Sequence, residues 1–371
     1  MDSDYLIDLD GNKETSIPFS AYFNNPKAII LETGKECLIG FVNDFQVLDD
    51  RIYVLDILYA KSLNVFDMDG HFIRKIGSLG QEPGEYISLV DFTIDTENRF
   101  IYLLDYGKRV HKYDLNGQYV STITPQITRS NIKYIQYYKS KLYLSVEAYT
   151  SALSDNMLLE SDLNGKILSG TLSLIYDKGW GGRLSKGYSF FMSRLNDTPR
   201  YARLFMDYIV TVGKEITPYI KLKSNSLSTG KDFEDFQNGG ISRTGMERAI
   251  ANFSKIHNVH SFIENDDYVI FKYQHGLNKY ITVILHKKTG EARLTSYFSN
   301  DLIFKSDNAG FNKKFVFSDS KGAYEIMDHY NLEIFLKSIR NNEIVPGLDR
   351  LDELLQLEED ANPVIFYYEY K

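Results

Sequence analysis

Short apolar runs alternate with turns rich in Asp, Asn and Gly along most of the chain, and the alternation repeats. The run Asp44-Phe-Gln-Val-Leu-Asp-Asp-Arg-Ile-Tyr-Val-Leu-Asp56 matches Asp91-Phe-Thr-Ile-Asp-Thr-Glu-Asn-Arg-Phe-Ile-Tyr-Leu-Leu-Asp105. Each is followed by a second matched piece, Leu63–Gly70 against Val110–Gly117, which sets the period at 47 residues. Within the unit an apolar strand, a polar turn, the strand Ile52–Asp56 and a third strand ending at Phe66 lead to an Asp-x-Asp/Asn-Gly tetrad. Such a tetrad suits a hairpin turn, because Asp and Asn bond their own backbone and Gly supplies positive φ. Phe72–Ile76 and Tyr119–Ile123 then read as fourth strands.

Four short antiparallel strands cannot bury a core alone, so the units must stack face to face about an axis, and a period in the forties built of strands reads as a propeller blade. A third copy runs through Ile132–Tyr138 and Lys141–Val146 to the tetrad Asp162-Leu163-Asn164-Gly165. Two degenerate units follow, one through Tyr188–Arg194, Leu204–Val212 and Tyr219–Lys223, the other through Val259–Ile263, Tyr268–Tyr273, Lys279–His286 and Arg293–Phe298. Lys314–Ser318, Gly322–Met327 and the C-terminal Asn362–Lys371 supply a sixth. The expectation is an all-β, six-bladed propeller of four-stranded antiparallel blades, forming one domain over 1–371 and closed by pairing of N- and C-terminal strands. Tyr5–Leu9 is expected to lie beside the C-terminal strand, removing exposed sheet edges. Two stretches break the pattern: an insertion at about 224–255 between blades four and five, with helix-capable Gly245–Phe253, and a helical excursion at about 330–358 before the last strand.

Composition changes this picture in three places. With 43% hydrophobic residues the 371-residue chain can bury a large core, which excludes disorder. The net charge of −8, with no gathering of basic residues, argues against nucleic acid as a partner. Cys37 is the only cysteine, which excludes an intramolecular disulfide and any multi-cysteine metal site. No apolar stretch is long enough to span a bilayer, and the acidic start Met1-Asp2-Ser3-Asp4 is unlike a secretory signal.

The run Asp67–Gly77, the linker Gly80-Gln-Glu-Pro-Gly-Glu-Tyr86 and Asp91–Asp95 resemble a six-bladed propeller family of exported and lipid-anchored proteins common in Bacteroidetes, itself similar to NHL-repeat proteins. Tyr5–Leu9, Leu31–Thr33 and the ending Asn362-Pro-Val-Ile are similar to that family too. The resemblance implies an exported protein, periplasmic or at the cell surface, whose signal and lipid-bearing cysteine are absent from this sequence; Cys37 is too far inside to be the anchor. It brings no catalytic residue to a numbered position.

Local motifs offer little chemistry. The tetrads resemble the start of a calcium loop, but its twelfth position falls on Ser78 and Pro125, where an acid is needed. His257 and His260 lack a third ligand and sit on a strand that would turn them to opposite sides. Gly80–Glu85 lacks the Gly-Lys-Ser/Thr ending of a phosphate loop, and Ser228-Thr-Gly-Lys231 has none of the companion motifs of an acyl enzyme. Lys178–Gly187 is more informative, because Trp180 and Arg183 stand among glycines, and both residue types dominate binding hot spots. They are the candidate ligand-binding residues. The functional expectation is a binding or scaffold propeller recognising a protein, peptide or glycan, with no cofactor. The alternative is a lactonase-like hydrolase or sugar lyase, which would gather acids or histidines from several blades, with calcium as its one conceivable cofactor.

Overall fold

In blade one the strands Asp44–Leu48, Arg51–Asp56, Ser62–Asp67 and Phe72–Ile76 pair antiparallel in sequence order. Blade two repeats the arrangement with Leu89–Asp95, Phe100–Asp105, Val110–Asp114 and Tyr119–Ile123. The protein is seen here in a computed structural model that describes residues 3–127, 131–147, 156–173, 191–192, 198–203, 206–228, 255–276, 279–305, 315–358 and 360–371. Blade three comprises Asn131–Tyr138, Lys141–Glu147, Asn156–Ser161 and Ile167–Ser173. Blade four has Phe191–Met192, Arg200–Tyr201, Tyr208–Thr211 and Thr217–Lys223, and blade five has Ile256–Glu264, Tyr268–His275, Lys279–His286 and Ala292–Thr295. The fold is a six-bladed β-propeller.

Blade six is completed by both ends of the chain. Phe315–Ser318 and Gly322–Met327 continue into the C-terminal strand Val364–Tyr370, whose other neighbour is Phe23–Ile30. The strand Tyr5–Asp8 does not lie there, contrary to its sequence-based placement. It pairs in parallel with Ile220–Lys223 on the outer edge of blade four, where Ile7 and Leu9 enter the core and Leu6 faces out. Lys13–Glu14 adds to the outer edge of blade five in the same way. The helical excursion is present as His329–Arg340, capped by the Asp328 carboxylate on the Asn331 N–H, and a short turn of helix at Leu351–Leu354. The helix-capable Gly245–Phe253 lies outside the described residues.

The chain divides into two compact units. The first, Met1–Thr15 with Ile123–Ser296, holds blades three to five; the second, Ser16–Thr122 with Tyr297–Lys371, holds blades six, one and two. Apolar clusters fill the spaces between successive sheets inside each unit. Tyr53, Leu55 and Val65 of blade one meet Phe92, Ile101 and Tyr113 of blade two, while Ile209 and Ile220 of blade four meet Phe271 and Val283 of blade five. Each buried side chain of this size contributes about 1.5–3 kcal/mol.

The tetrad glycines do more than turn a corner. Gly70 has φ +93°, and a Cβ there would lie 1.9 Å from the Ile30 carbonyl oxygen at the end of blade six's outer strand. At Gly165, φ +86°, it would lie 2.4 Å from the Thr124 oxygen, just past blade two's outer strand. Gly70 therefore needs glycine for close approach of blade one to blade six as well as for backbone conformation, and Gly165 needs it for close approach to the Thr124–Pro125 backbone.

Candidate functional site: the loop end of blades one and two

In blade one, Asp44 is opposite Leu55 and Asp56 is opposite Ser62. The segment before the first strand and the loop after the second therefore meet at one end of the sheet. Asp56 closes the strand Ile-Tyr-Val-Leu-Asp that the repeat pattern singled out, and its side chain is fully buried. One oxygen, Oδ2, accepts the N–H groups of Gly40, Phe41 and Ala60 at 2.8–3.1 Å; Oδ1 accepts those of Leu58 and Tyr59 at 2.9 Å. A carboxylate offers about four lone-pair sites, so the three donors on Oδ2 share its two, and a buried carboxylate needs such partners. Asn43 supports the same loop by accepting the Ile57 N–H.

Asp105 does the equivalent work in blade two. It accepts the Ser88 and Ile87 N–H groups, the counterparts of Phe41 and Gly40, and pairs with Arg109. Burial, the largest influence on its carboxyl, acts upward, but the Ser88, Arg109 and Ile87 donors together hold it below the usual carboxylate range. The carboxylates thus fix the loops, and the loops present large apolar side chains to solvent: Leu38, Leu58 and Tyr59 in blade one, Ile87 and Tyr106 in blade two. Tyr59 and Tyr106 are 72% and 71% exposed, and they stand 47 residues apart, one full repeat. So do Lys61 and Lys108, both in the left-handed backbone region at φ +50° and +62°. Gly40 lies beneath Tyr59; a Cβ there would meet that side chain at 2.6–2.8 Å. Single exposed apolar residues are ordinary, but five on one end of two adjacent repeats form a surface suited to a partner.

A hydroxyl–imidazole–carboxylate line also passes through blade two. His111 is buried, with Nδ1 at 2.9 Å from Thr122 Oγ1 and Nε2 at 3.6 Å from Asp105. Burial first, then the Arg109 charge, pushes its pKa down and keeps the ring neutral at pH 7. The Asp105 carboxylate is already committed to amides and Arg109, so the line reads as packing rather than as an activated nucleophile.

Trp180, Arg183 and Lys231 lie outside the described residues, as does the His257 side chain. His260 bonds Gln274 at 2.8 Å within blade five, and the Ser228 hydroxyl donates to the Ile256 carbonyl; both are absorbed locally. In the Gly80–Tyr86 linker, the Glu85 carboxylate accepts the Glu82 N–H, and Ser78–Leu79 pairs in parallel with Glu85–Tyr86. Among the described residues, Asp67, Asp69 and His71 bring ligand atoms within 4.8 Å of one another. Asp67 Oδ1 there accepts the Asp69 and His71 N–H groups, which is the hairpin role expected of the tetrad.

Comparison with solved structures places the fold among proteins of the same kind. The chain is similar to a candidate exported protein of Bacteroides fragilis, with a TM-score of 0.73 and 18% identity over 99% of each chain. It is also similar to a member of the DUF4221 family from Bacteroides vulgatus, with a TM-score of 0.52 and 12% identity over 94% of this chain and 97% of that one. At these identities the likeness is one of fold. A search of curated proteins found no match. The family profile described as a domain of unknown function, DUF4934, matches residues 5–369, and the chain belongs to that family.

Proposed function

We propose that this chain is an exported binding protein that holds a protein, peptide or glycan against the loop end of blades one and two. The observation that carries the reading is the pair of Asp-anchored loops that expose Leu58, Tyr59 and Tyr106 beside Lys61 and Lys108. Tyrosine supplies broad, rigid contact area at low entropic cost, and a ring held by a fixed backbone is pre-organised for contact. The enzymatic alternative has less support at this end, since Asp56 and Asp105 spend their oxygens on backbone donors. Export is supported by the Gly-x-x-Pro-Gly-Glu-Tyr linker and by the description of the Bacteroides fragilis protein, and a lipid anchor at the periplasmic or outer surface fits the same resemblance. Trp180 and Arg183 belong to this proposal as a second contact loop.

Glycan and peptide arrays probed with the wild-type chain and with the Tyr59→Ala/Tyr106→Ala variant test the reading. Loss of a central aromatic anchor costs about 2 kcal/mol or more, about 30-fold in affinity. A variant that keeps every ligand of the wild type at unchanged affinity would overturn the proposal. Trp180→Ala, measured in parallel, decides whether the second loop contributes.

A further inference from the structure

Blades one and two share a loop anchor but not the chemistry behind it. One repeat before Arg109 and His111 stand Ser62 and Asn64, so a guanidinium and an imidazole in blade two replace neutral groups in blade one. His111 lies opposite Leu103, a member of the core between blades one and two, which puts its ring on that face together with Tyr113. The ring is buried. Its Nδ1 lies 2.9 Å from Thr122 Oγ1, which is itself 2.9 Å from the Tyr119 hydroxyl. Its Nε2 stands 3.6 Å from Asp105 Oδ2, beyond hydrogen-bond reach. That oxygen already accepts Arg109 Nε at 3.2 Å, Arg109 Nη2 and the Ile87 N–H at 3.4 Å.

Burial first, then the Arg109 charge, sets the ring against protonation, while Asp105 acts the other way and loses. The other titratable groups at this face are phenols and one acid. Burial pushes Tyr86 of the linker up to about 12, and drives Tyr113 and blade one's Tyr53 upward as well, so these stay neutral. Tyr119 comes from the outer strand and bonds Thr122. The Glu85 carboxylate of the linker is taken up by the Glu82 N–H and the Ser78 hydroxyl. The closed loop therefore binds fewer protons than an opened one. Its advantage is full above the free imidazole value of about 6.5 and is lost as pH falls below that through the folded value.

We infer that His111 is a proton-operated latch on the blade-two loops: a proton on its ring at mildly acid pH sets two cations on Asp105 Oδ2, Arg109 gives way, and residues 86–88 and 106–109 loosen while the blade-one loops stay closed. Nε2 faces a carboxylate and carries the hydrogen of the neutral ring, so Nδ1 accepts the Thr122 hydroxyl and is the atom that takes the new proton. Nδ1 then donates to Thr122 Oγ1, whose own hydrogen turns to the Tyr119 oxygen. Thr122 and Tyr119 are exposed, so the proton enters from solvent along this line. Arg109 is the cation that can leave, since its side chain is 31% exposed against 2% for His111. The consequence for binding, a weaker hold on a ligand in acid, rests on the proposed contact role of Ile87 and Tyr106; the latch itself does not.

Amide exchange of the full chain by mass spectrometry at about pH 7 and about pH 5, expressed as protection relative to intrinsic rates, tests the latch without any ligand. On acidification, peptides covering 86–88 and 106–109 should lose protection at least about threefold, and those covering 40–41 and 58–60 less than about 1.5-fold. Carboxylates titrate below this window, and the other histidine of these two blades, His71, sits at the turn on the opposite end of blade one. His111→Asn, which installs the blade-one residue, should abolish the difference; His111→Gln serves the same purpose should the first variant unfold, and thermal midpoints report folding. In the wild-type chain the His111 ring signal, followed by NMR, should titrate below about pH 6.5. Equal loss in both blades, a pH effect that survives in a folded His111 variant, or a ring that titrates at or above about pH 6.5 overturns the inference. If neither variant folds, the two wild-type measurements decide. Because no ligand enters this test, its failure and a failure of the array experiment are told apart.

Discussion

Replacing Glu264 by glutamine should destabilise the chain more than almost any other single isosteric change. The Glu264 side chain is fully buried at the junction of blades four and five. It takes Arg200 Nε on Oε2 and Arg200 Nη2 on Oε1, each at 3.1 Å, with the Tyr219 hydroxyl at 2.6 Å and Lys287 Nζ at 3.0 Å also on Oε1. The Arg200 guanidinium lies 3.5 Å from the Tyr219 ring centroid. Burial is the largest single influence on the Glu264 carboxyl and acts upward, but Arg200, Tyr219 and Lys287 together hold its pKa below the usual range. Removing one partner of a buried ionic cluster costs about 3–5 kcal/mol, because the remaining charges stay where they are. Arg200 and Lys287 keep side-chain exposures of 13% and 18%, so water relieves part of the loss and the low end, about 3 kcal/mol, applies. In a cooperative body of 150–250 residues that lowers the thermal midpoint by about 6–12 °C. The difference from wild type should depend on pH. A folded-state pKa below the unfolded value of about 4.3 gives stability that is fully present above that pH and fades as pH falls through the folded value. Denaturant titrations of wild type and Glu264→Gln from pH 7 to pH 3 should therefore converge at the acid end. In a double-mutant cycle with Arg200→Met, the two losses should fall short of additivity by at least about 1 kcal/mol. A cost under about 1 kcal/mol at pH 7, or strict additivity, would refute the assignment of Glu264 as the shared counter-ion.

Three further outcomes follow from the geometry. Asp56→Asn replaces a five-fold acceptor by a group whose amide would face N–H donors, at a cost of about 2–4 kcal/mol, and amide exchange should accelerate in residues 38–43 and 57–61 before other regions, which mass spectrometry can follow. Gly70→Ala and Gly165→Ala should each cost more than about 2 kcal/mol, since positive φ and carbonyl contact act together, whereas Gly290→Ala, with φ +72° and nothing within 4 Å, should cost only the backbone strain of about 1 kcal/mol; chemical denaturation of the three variants compares them. Tyr219→Phe removes one hydrogen bond to a charged acceptor while leaving Arg200 and Lys287 in place, so its cost should be about 1.5 kcal/mol, and a loss as large as that of Glu264→Gln would show that the hydroxyl rather than the charge organises the junction.

Blades one to three were legible because their turns are chemically marked. An Asp-x-Asp/Asn-Gly tetrad needs Gly70, Gly117 and Gly165 at positive φ, and no apolar strand imitates that spacing. Blades four to six lack the marker, yet their apolar runs still appear at strand lengths. What the pattern did not carry was which edge a lone strand joins. Tyr5–Asp8 alternates as a strand should, but alternation says only that one face is buried, and the outer strand of blade four was as good a neighbour as the C-terminal one. The strand that does pair with Val364–Tyr370 contains Asn24-Asn25-Pro26, with Asn25 at φ +44°, a composition that argues against strand. Pro26 is tolerated because Phe23–Ile30 is the outermost member of its sheet, where one missing N–H disrupts no second ladder.

The candidate site was hidden for a different reason. Trp180 drew attention by composition, whereas Tyr59 and Tyr106 are two of 28 tyrosines, and nothing local distinguishes an exposed ring from a buried one such as Tyr53 or Tyr102. The available signal was the recurrence of Tyr-x-Lys one full period apart, in the loop that follows the aspartate ending each second strand. That aspartate explains why the loops can differ in sequence and still share a geometry. Its acceptors bind backbone N–H groups, which every residue but proline supplies, so Gly40 and Phe41 in one blade are replaced by Ile87 and Ser88 in the next without loss of the anchor. An anchor that ignores side-chain identity leaves the outward side chains free to follow the ligand. In the proposed binding role, Leu58, Tyr59 and Tyr106, which face water at such positions, are the side chains that would follow the ligand.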